Sequence, residues 1–233
     1  MQKLRSYKYE QLTALQFEQV LEETPLVYVP VGSLEFHGPH LPLGMDTIHA
    51  YEFCLQVARN TGGIVLPPSY WGTVGHDGWK GSLLISEETF QVLMRDVFRL
   101  LAEQGVKLIV ATTGHHPTHQ GKTMARIAQE IMSKYPSVTI LTLDPYGTHP
   151  DDENADHAGK KETSLMLAIR PEWVHMEELL GDDAFKGIWK DCVDGTAEFG
   201  SRYLSASVRN CTSIVKEAFN DLSMNKPDAG DGK

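Results

Sequence analysis

The chain has 233 residues, 41% hydrophobic and 22% charged, which is enough apolar material to bury the core of one globular domain. The formal net charge is -10 at pH 7 and no segment concentrates Lys and Arg, which excludes nucleic acid as a partner because phosphate binding requires clustered cations. Neither a membrane-spanning run nor the apolar core of a signal peptide is found, so we expect a cytoplasmic protein without a membrane partner.

Strands and helices are predicted to alternate along most of the chain. Short runs rich in β-branched residues predict strands over 26–31, 63–67, 106–112 and 138–143. Helical patterns predict one helix from Ser86 to Gly105, a second over 120–134 and a third in KETSLMLAIR, residues 161–170. This alternation predicts a single-domain α/β/α sandwich with a mostly parallel sheet over residues 1–222. The remaining residues, 223–233, are polar and are expected to form a disordered tail.

The apolar residues of two predicted helices indicate which faces are buried. In the first helix, five residues recur at helical spacing: Phe90, Leu93, Val97, Leu100 and Leu101. In the second helix, the stripe that we interpret as core packing consists of Met124, Ile127, Ala128 and Ile131. The three cysteines are far apart in the sequence and are interpreted as reduced, buried side chains without a chemical role: Cys54, Cys192 and Cys211.

Long polar connections follow the four predicted strands, and they carry eight of the ten histidines. Their sequences are SLEFHGPHLPLGMD, PSYWGTVGHDGWKGSL, GHHPTH and DPYGTHPDDENADHAG. In parallel sheets, ligands bind beyond the carboxyl ends of the strands, where such connections converge. The sequence therefore predicts one His-rich site at one edge of the sheet.

The first connection carries three side chains suited to a metal ion. Glu35 and His37 are two residues apart beyond a predicted strand, so extended backbone would point both into one cavity. Pro39 and Pro42 oppose a regular helix and allow the chain to fold back, bringing Asp46 beside them. Imidazole together with carboxylate suits Zn²⁺, Mn²⁺ or Fe²⁺ in a catalytic site. These residue types also cap helices and bond backbone, so on their own the three residues leave both interpretations open.

The segment PVGSLEFHGPHLPLGMD resembles the signature segment of the creatininase (creatinine amidohydrolase) family. The resemblance continues through GHDGWKGSLLIS, TGHHPTHQG and HAGKKETS, and more weakly through DGTAEFGSRYL, so it covers most of the chain. It implies a creatininase-like α/β fold with two divalent metal ions, Zn or Mn by preference and Fe as an alternative. It also implies a homohexamer, in which we expect the segment GIWKDCVDG to pack against a neighbour.

The family's motifs imply two groups of metal ligands, Glu35 with Asp46 and His115, and His37 with Asp46 and a second carboxylate. In creatinine-hydrolysing members, that second carboxylate stands two residues after the histidine that matches His115. This chain has Pro117 there, which cannot coordinate a metal ion. Other members of the family suggest Glu162 instead, and we expect Glu162 to be the fifth ligand.

The resemblance also implies a catalytic acid or base. Two ions roughly 3.5 to 4 Å apart can share a water molecule, lower its pKa and polarise the carbonyl that the resulting hydroxide attacks. The leaving group then needs a proton, and an imidazole has a suitable pKa to provide it. The family motif assigns this role to His157, although a histidine in so polar a segment could also be an exposed residue at a helix start.

Four residues in the second and third connections are candidate substrate contacts: His76, Trp79, Lys80 and His116. Ordinary surface positions explain each of them equally well, and we assign no role to His40, His49 and His149. Lys80 replaces a proline that is frequent in the family, and the loop before His157 has no tryptophan. Both departures argue against creatinine itself as the substrate.

The leading functional hypothesis is hydrolysis of a carbon-nitrogen bond in a small cyclic amide or formamide. One alternative is hydrolytic carbon-carbon cleavage of a cyclic polyhydroxy diketone of the inosose type, since the same activated water could attack a ketone. Another is a metal-binding scaffold without catalysis, which would keep the five ligands but need no open coordination position. A serine hydrolase and a zinc protease are disfavoured because the sequence has neither G-x-S-x-G nor H-E-x-x-H.

Overall fold

A parallel sheet of five strands lies at the centre of the computed structural model, which describes residues 6–76, 78–116, 118–150 and 156–224. The strands are β1 (Ser6–Lys8), β2 (Leu26–Val31), β3 (Gly63–Val65), β4 (Leu108–Thr113) and β5 (Thr139–Leu143). Their order across the sheet is β1-β3-β2-β4-β5, and every neighbouring pair is parallel. The four predicted strands are present, and β1 is an addition, because three residues are too few to give a recognisable pattern.

Six α-helices are found among the described residues: α1 (Ala14–Glu23), α2 (Met45–Thr61), α3 (Glu87–Glu103), α4 (Thr118–Lys134), α5 (Lys160–Ile169) and α6 (Ala197–Met224). Short 3-10 turns cover Tyr9–Gln11, Pro171–Trp173, Met176–Glu178, Asp182–Phe185 and Lys190–Asp194. The side chain of Ser86 caps α3 by accepting the amide of Thr89, as expected for this residue type. Helix α6 continues two residues into the predicted tail, and the rest of that tail lies outside the described residues, as does Pro117.

Helices cover both faces of the sheet, which confirms the predicted α/β/α class. Val27, Val29 and Val31 of β2 pack on the side of α3 and α4, whereas Leu26 and Tyr28 pack on the side of α2, α5 and α6. The predicted stripe of α4 is buried, and the three cysteines are buried and unpaired. No described helix combines the length and the hydropathy that a bilayer crossing requires.

The prediction that Leu100 of α3 belongs to the core is wrong. Leu100 is 46% exposed, because the buried stripe of this helix runs through Phe90, Met94, Phe98 and Leu101 instead. Those residues follow one another at intervals of four, four and three positions, which keeps them on one face. Leu100 is turned away from that face.

The strand register brings two loops to the same edge of the sheet. Val31 at the end of β2 pairs with Thr113 at the end of β4, so the segments beginning at Gly32 and Gly114 leave side by side. A Cβ atom on Gly114 would lie 2.0 Å from the carbonyl oxygen of Asp46, so only glycine allows β4 to end this close to α2. The first turn of α2 is thereby pressed against the loop that follows β4.

Candidate metal centre

Five acidic and imidazole side chains meet beyond the carboxyl ends of β2 and β4. Their positions are the loop after β2 (Glu35 and His37), the first turn of α2 (Asp46), the loop after β4 (His115) and the first turn of α5 (Glu162). Each is at most 2% exposed. They form two overlapping groups, Glu35 with Asp46 and His115, and His37 with Asp46 and Glu162. Within each group the potential ligand atoms lie within 4.8 Å of one another, so each group is compact enough to surround one ion.

Asp46 belongs to both groups because its two carboxylate oxygens face different histidines. Its Oδ1 lies 3.0 Å from Nε2 of His37, and its Oδ2 lies 2.8 Å from Nδ1 of His115. The hydroxyl of Ser33 donates a hydrogen bond of 2.7 Å to Oδ2 and helps to fix the carboxylate. One carboxylate is therefore shared between the two groups.

Backbone carbonyls orient both histidine rings. Nδ1 of His37 donates to the carbonyl of Glu35 at 3.1 Å, which turns Nε2 of His37 towards the carboxylates. Nε2 of His115 donates to the carbonyl of Val74, which turns Nδ1 towards Glu35 and Asp46. Val74 adopts a φ of 57°, a conformation that is unfavourable for a β-branched residue. Hydrogen bonds of this kind commonly fix the ring orientation of metal-binding histidines.

The two glutamates are held from outside the cluster as well. Oε1 of Glu35 accepts the backbone amide of His76 and lies 3.1 Å from its ring Nδ1. Oε2 of Glu162 accepts the amide of Ala158 at 2.6 Å. The carboxylate of Asp156 accepts the amides of Lys161 and Glu162 at 2.7 and 3.2 Å, which anchors the start of α5. The position of Glu162 is therefore set by the loop before its helix.

The charges of the cluster fit a pair of divalent cations. Burial lowers the pKa of His37 and His115, but the carboxylates around them outweigh burial and raise each pKa to about 10. Burial raises the pKa of Glu162, while the two imidazoles overcome burial at Asp46 and hold its pKa far below the ordinary value. Without ions, protons on the imidazoles compensate the carboxylates. Bound cations could replace these protons as the compensating positive charge. The mixed nitrogen and oxygen donors suit Zn²⁺ or Mn²⁺.

His157 lies against the cluster with its ring between two other imidazoles. The ring centroid is 3.9 Å from that of His76, with an interplanar angle of 13°, and 4.6 Å from that of His37. Nε2 of His157 donates to the carbonyl of Phe36 at 2.9 Å, which leaves Nδ1 as the basic nitrogen. Burial, together with the electrostatic effect of the neighbouring His37 and His76, lowers the pKa of His157 to about 4. At neutral pH this imidazole is therefore unprotonated.

A cavity of about 420 Å³ opens over these side chains. Its lining consists of Glu35, His37, Asp46, Val74, Gly75, His76, His115, His116, Asp156, His157, Glu162 and Trp189. Of the four predicted substrate contacts, His76 and His116 are in this lining, and Trp79 and Lys80 are not. Trp79 instead stacks on Phe36 with centroids 4.4 Å apart, and Lys80 is exposed.

Two residues in or next to this cavity were not predicted from the sequence. Trp189 lies in the segment predicted to face a neighbour, but its amide donates to the carbonyl of His157 at 3.1 Å and its half-exposed ring lines the cavity. Asp144 follows β5 and pairs with Nδ1 of His116 at 3.0 Å; this hydrogen bond raises the pKa of His116. The position of Asp144 at the carboxyl end of a strand could have pointed to it. The position of Trp189 carries no such signal.

Comparison with known proteins gives consistent results. The family model described as "Creatininase: Creatinine amidohydrolase" matches residues 10–215. The mycofactocin precursor peptide peptidase of Mycolicibacterium smegmatis is 30% identical, with 85% of this chain and 87% of the relative covered. The 3-dehydro-scyllo-inosose hydrolase of Thermotoga maritima is 27% identical, with 72% of this chain and 58% of the relative covered. The chain thus spans less than two thirds of the length of this second relative.

Solved structures share the fold. A crystal structure of creatinine amidohydrolase superposes with a TM-score of 0.84 at 20% sequence identity, covering 92% of this chain and 98% of the other. A structure described as "Creatininase Mn" gives a TM-score of 0.82 at 20% identity, covering 92% and 99%. At these identities the similarity establishes the architecture.

Proposed function

Because the chain belongs to the creatininase family, we propose that this hydrolase holds two divalent ions and cleaves the carbon-nitrogen bond of a small cyclic amide or formamide. The proposed ligands are Glu35, His37, Asp46, His115 and Glu162. By preference the ions are Zn²⁺ or Mn²⁺, with Fe²⁺ as an alternative. From the family resemblance we further propose a cytoplasmic homohexamer.

The observation that carries this proposal is the division of the Asp46 carboxylate between His37 and His115, at 3.0 and 2.8 Å. If Asp46 only neutralised one imidazole, its other oxygen would not be expected to face a second histidine. Two further carboxylates, Glu35 and Glu162, complete a separate group on each side. When bound, two such ions would supply an activated water molecule and would polarise the carbonyl under attack.

His157 is proposed to move the proton. The carbonyl of Phe36 occupies Nε2–H of His157, so Nδ1 is the atom that can take a proton from the attacking water. The same nitrogen can return this proton to the leaving nitrogen as the carbon-nitrogen bond breaks. The stacked ring of His76 supports the orientation of His157. The low pKa of His157 keeps the imidazole unprotonated before each cycle.

The volume and the lining of the cavity support a small planar substrate. Its volume of about 420 Å³ lies near the low end of the range for ligand sites. His76, His157 and Trp189 contribute flat rings to its lining, and His116 contributes an imidazole held by Asp144. A planar cyclic amide could stack on the flat rings while its polar atoms face the carboxylates and imidazoles. Trp79 and Lys80 lie outside this lining, and a contact between either residue and the substrate stays a prediction.

Two other substrate classes are supported by relatives. The relative at 30% identity is named as a peptide peptidase, and a peptide bond is an amide that the same groups could hydrolyse. The relative at 27% identity is named 3-dehydro-scyllo-inosose hydrolase, which favours a substrate of the inosose type, the class of the carbon-carbon cleavage hypothesis. A scaffold without catalysis would bind ions and turn over none of these compounds.

A substrate panel tests the proposal. The chain is stripped with a chelator, reloaded with Mn²⁺ or Zn²⁺, and assayed against cyclic amides, formamides, short peptides and cyclic diketones. We expect turnover of a cyclic amide or formamide by the loaded protein and none by the stripped protein. Turnover of only peptides or only diketones would replace the substrate class, and bound metal without any turnover would favour the scaffold.

A further inference from the structure

Tyr146 stands behind the metal centre, in the turn that follows β5. Its side chain is fully buried, and its hydroxyl donates to Oε1 of Glu162 at 3.2 Å. Its backbone amide donates to Oδ1 of Asp144 at 2.8 Å, which fixes the turn. Its ring packs edge-on against His49, with centroids 5.2 Å apart, and lies 6.3 Å from the ring of Tyr203. The hydroxyl therefore has little freedom to leave Glu162.

The two oxygens of Glu162 have different surroundings. Oε1 faces Tyr146, whereas Oε2 accepts the amide of Ala158 at 2.6 Å and lies 3.5 Å from Nε2 of His37. A carboxylate can rotate about its last bond, and such rotation would turn Oε2 away from His37. The hydrogen bond from Tyr146 opposes this rotation, and it acts on a carboxylate that belongs to only one of the two ligand groups.

We infer that Tyr146 is a positioning residue for the second ion, the one assigned to His37, Asp46 and Glu162. The inference rests on the proposed two-ion centre and goes beyond it, since it makes the affinities of the two ions separable. The carboxylate that is unique to the first group, Glu35, is oriented by His76 instead. Removing the hydroxyl of Tyr146 should weaken the binding of the second ion and leave the affinity for the first ion unchanged.

A calorimetric titration of the metal-free Tyr146→Phe variant with Mn²⁺ tests this inference, because it measures the affinity for each ion. Groups that orient metal ligands typically change ion affinity by about tenfold to a hundredfold. We expect the second ion to bind that much more weakly, with the first ion within about twofold of the unsubstituted chain. Tyr28→Phe is the matched control, because Tyr28 is an equally buried tyrosine whose hydroxyl bonds Thr61 away from the centre. It should leave both affinities unchanged.

The outcomes separate the inference from the proposed function. If Tyr146→Phe binds both ions with unchanged affinities, or loses affinity for both by the same factor, the positioning role is overturned. The two-ion centre would remain intact in either case. An unsubstituted chain that binds fewer than two Mn²⁺ ions would overturn the two-ion centre itself, and the inference with it. In a Glu162→Gln background, where the carboxylate is already lost, adding Tyr146→Phe should produce no further loss of ion affinity.

Discussion

The imidazole rings of His76 and His157 lie face to face, with centroids 3.9 Å apart and planes inclined by 13°. His76 also contacts Glu35 through its amide and through its ring Nδ1. One residue therefore touches both a proposed metal ligand and the proposed acid-base group. The proposed proton transfer would therefore take place beside the proposed metal ligands.

Replacing His157 by Ala should separate catalysis from ion binding. We expect turnover to fall by about a hundredfold to ten-thousandfold, which is the usual contribution of a general acid-base group. The metal content should stay unchanged, because the five proposed ligands remain. Turnover and elemental content are measured on the same preparations. His119→Ala serves as the control, since His119 is exposed and pairs with Glu87 at 3.4 Å.

Either of two results would contradict the role of His157. Unchanged turnover would remove it from the mechanism. Loss of one ion would make it a ligand, which is a possibility to test because His157 also lies within 4.8 Å of potential ligand atoms of Glu35 and His37.

Replacing Trp189 by Ala should weaken substrate binding. Loss of an aromatic stacking partner costs about 1 kcal/mol, so KM for a planar cyclic amide should rise by about fivefold while kcat changes little. Steady-state kinetics on the amide found in the panel measure both constants. Trp173→Ala is the matched control, because Trp173 is also partly exposed but contacts Arg170 away from the cavity. Equal effects of the two substitutions would refute stacking by Trp189.

The sequence predicted the scaffold well because strands β2, β4 and β5 are short runs rich in apolar and β-branched residues, with polar segments beyond their ends. The same reasoning predicted that the loops after β2 and β4 converge, and their proposed ligands do lie together, although ion binding itself stays a prediction. Trp189 could not be predicted, because its place depends on an irregular segment that folds back onto His157. Tyr146 was missed because its contact with Glu162 joins a turn to a separate helix.

His49 should make the stability of the protein sensitive to mild acid. Burial lowers its pKa from 6.5 to about 4, and the carboxylates of Asp144 and Asp46 only partly offset this effect. The unfolded chain therefore binds a proton below pH 6.5 that the folded chain does not bind until about pH 4. The resulting stability is present above pH 6.5 and is lost as the pH falls.

Urea unfolding at several pH values measures this contribution. Between pH 7 and 5.5, the free energy of unfolding of the metal-free chain should fall by about 1 kcal/mol more than that of a His49→Leu variant. Parallel pH profiles for the two proteins would show that His49 titrates normally in the folded state, contrary to its burial.

The most direct test of the two-ion centre is the metal content of an Asp46→Ala variant, determined by elemental analysis after loading with Mn²⁺ and dialysis. We expect two ions per unsubstituted chain and nearly none in the variant, since the carboxylate between His37 and His115 is the group that both sites share. Asp96→Ala, which removes an exposed carboxylate paired with Arg99, should retain both ions. Two ions retained by Asp46→Ala would contradict the account.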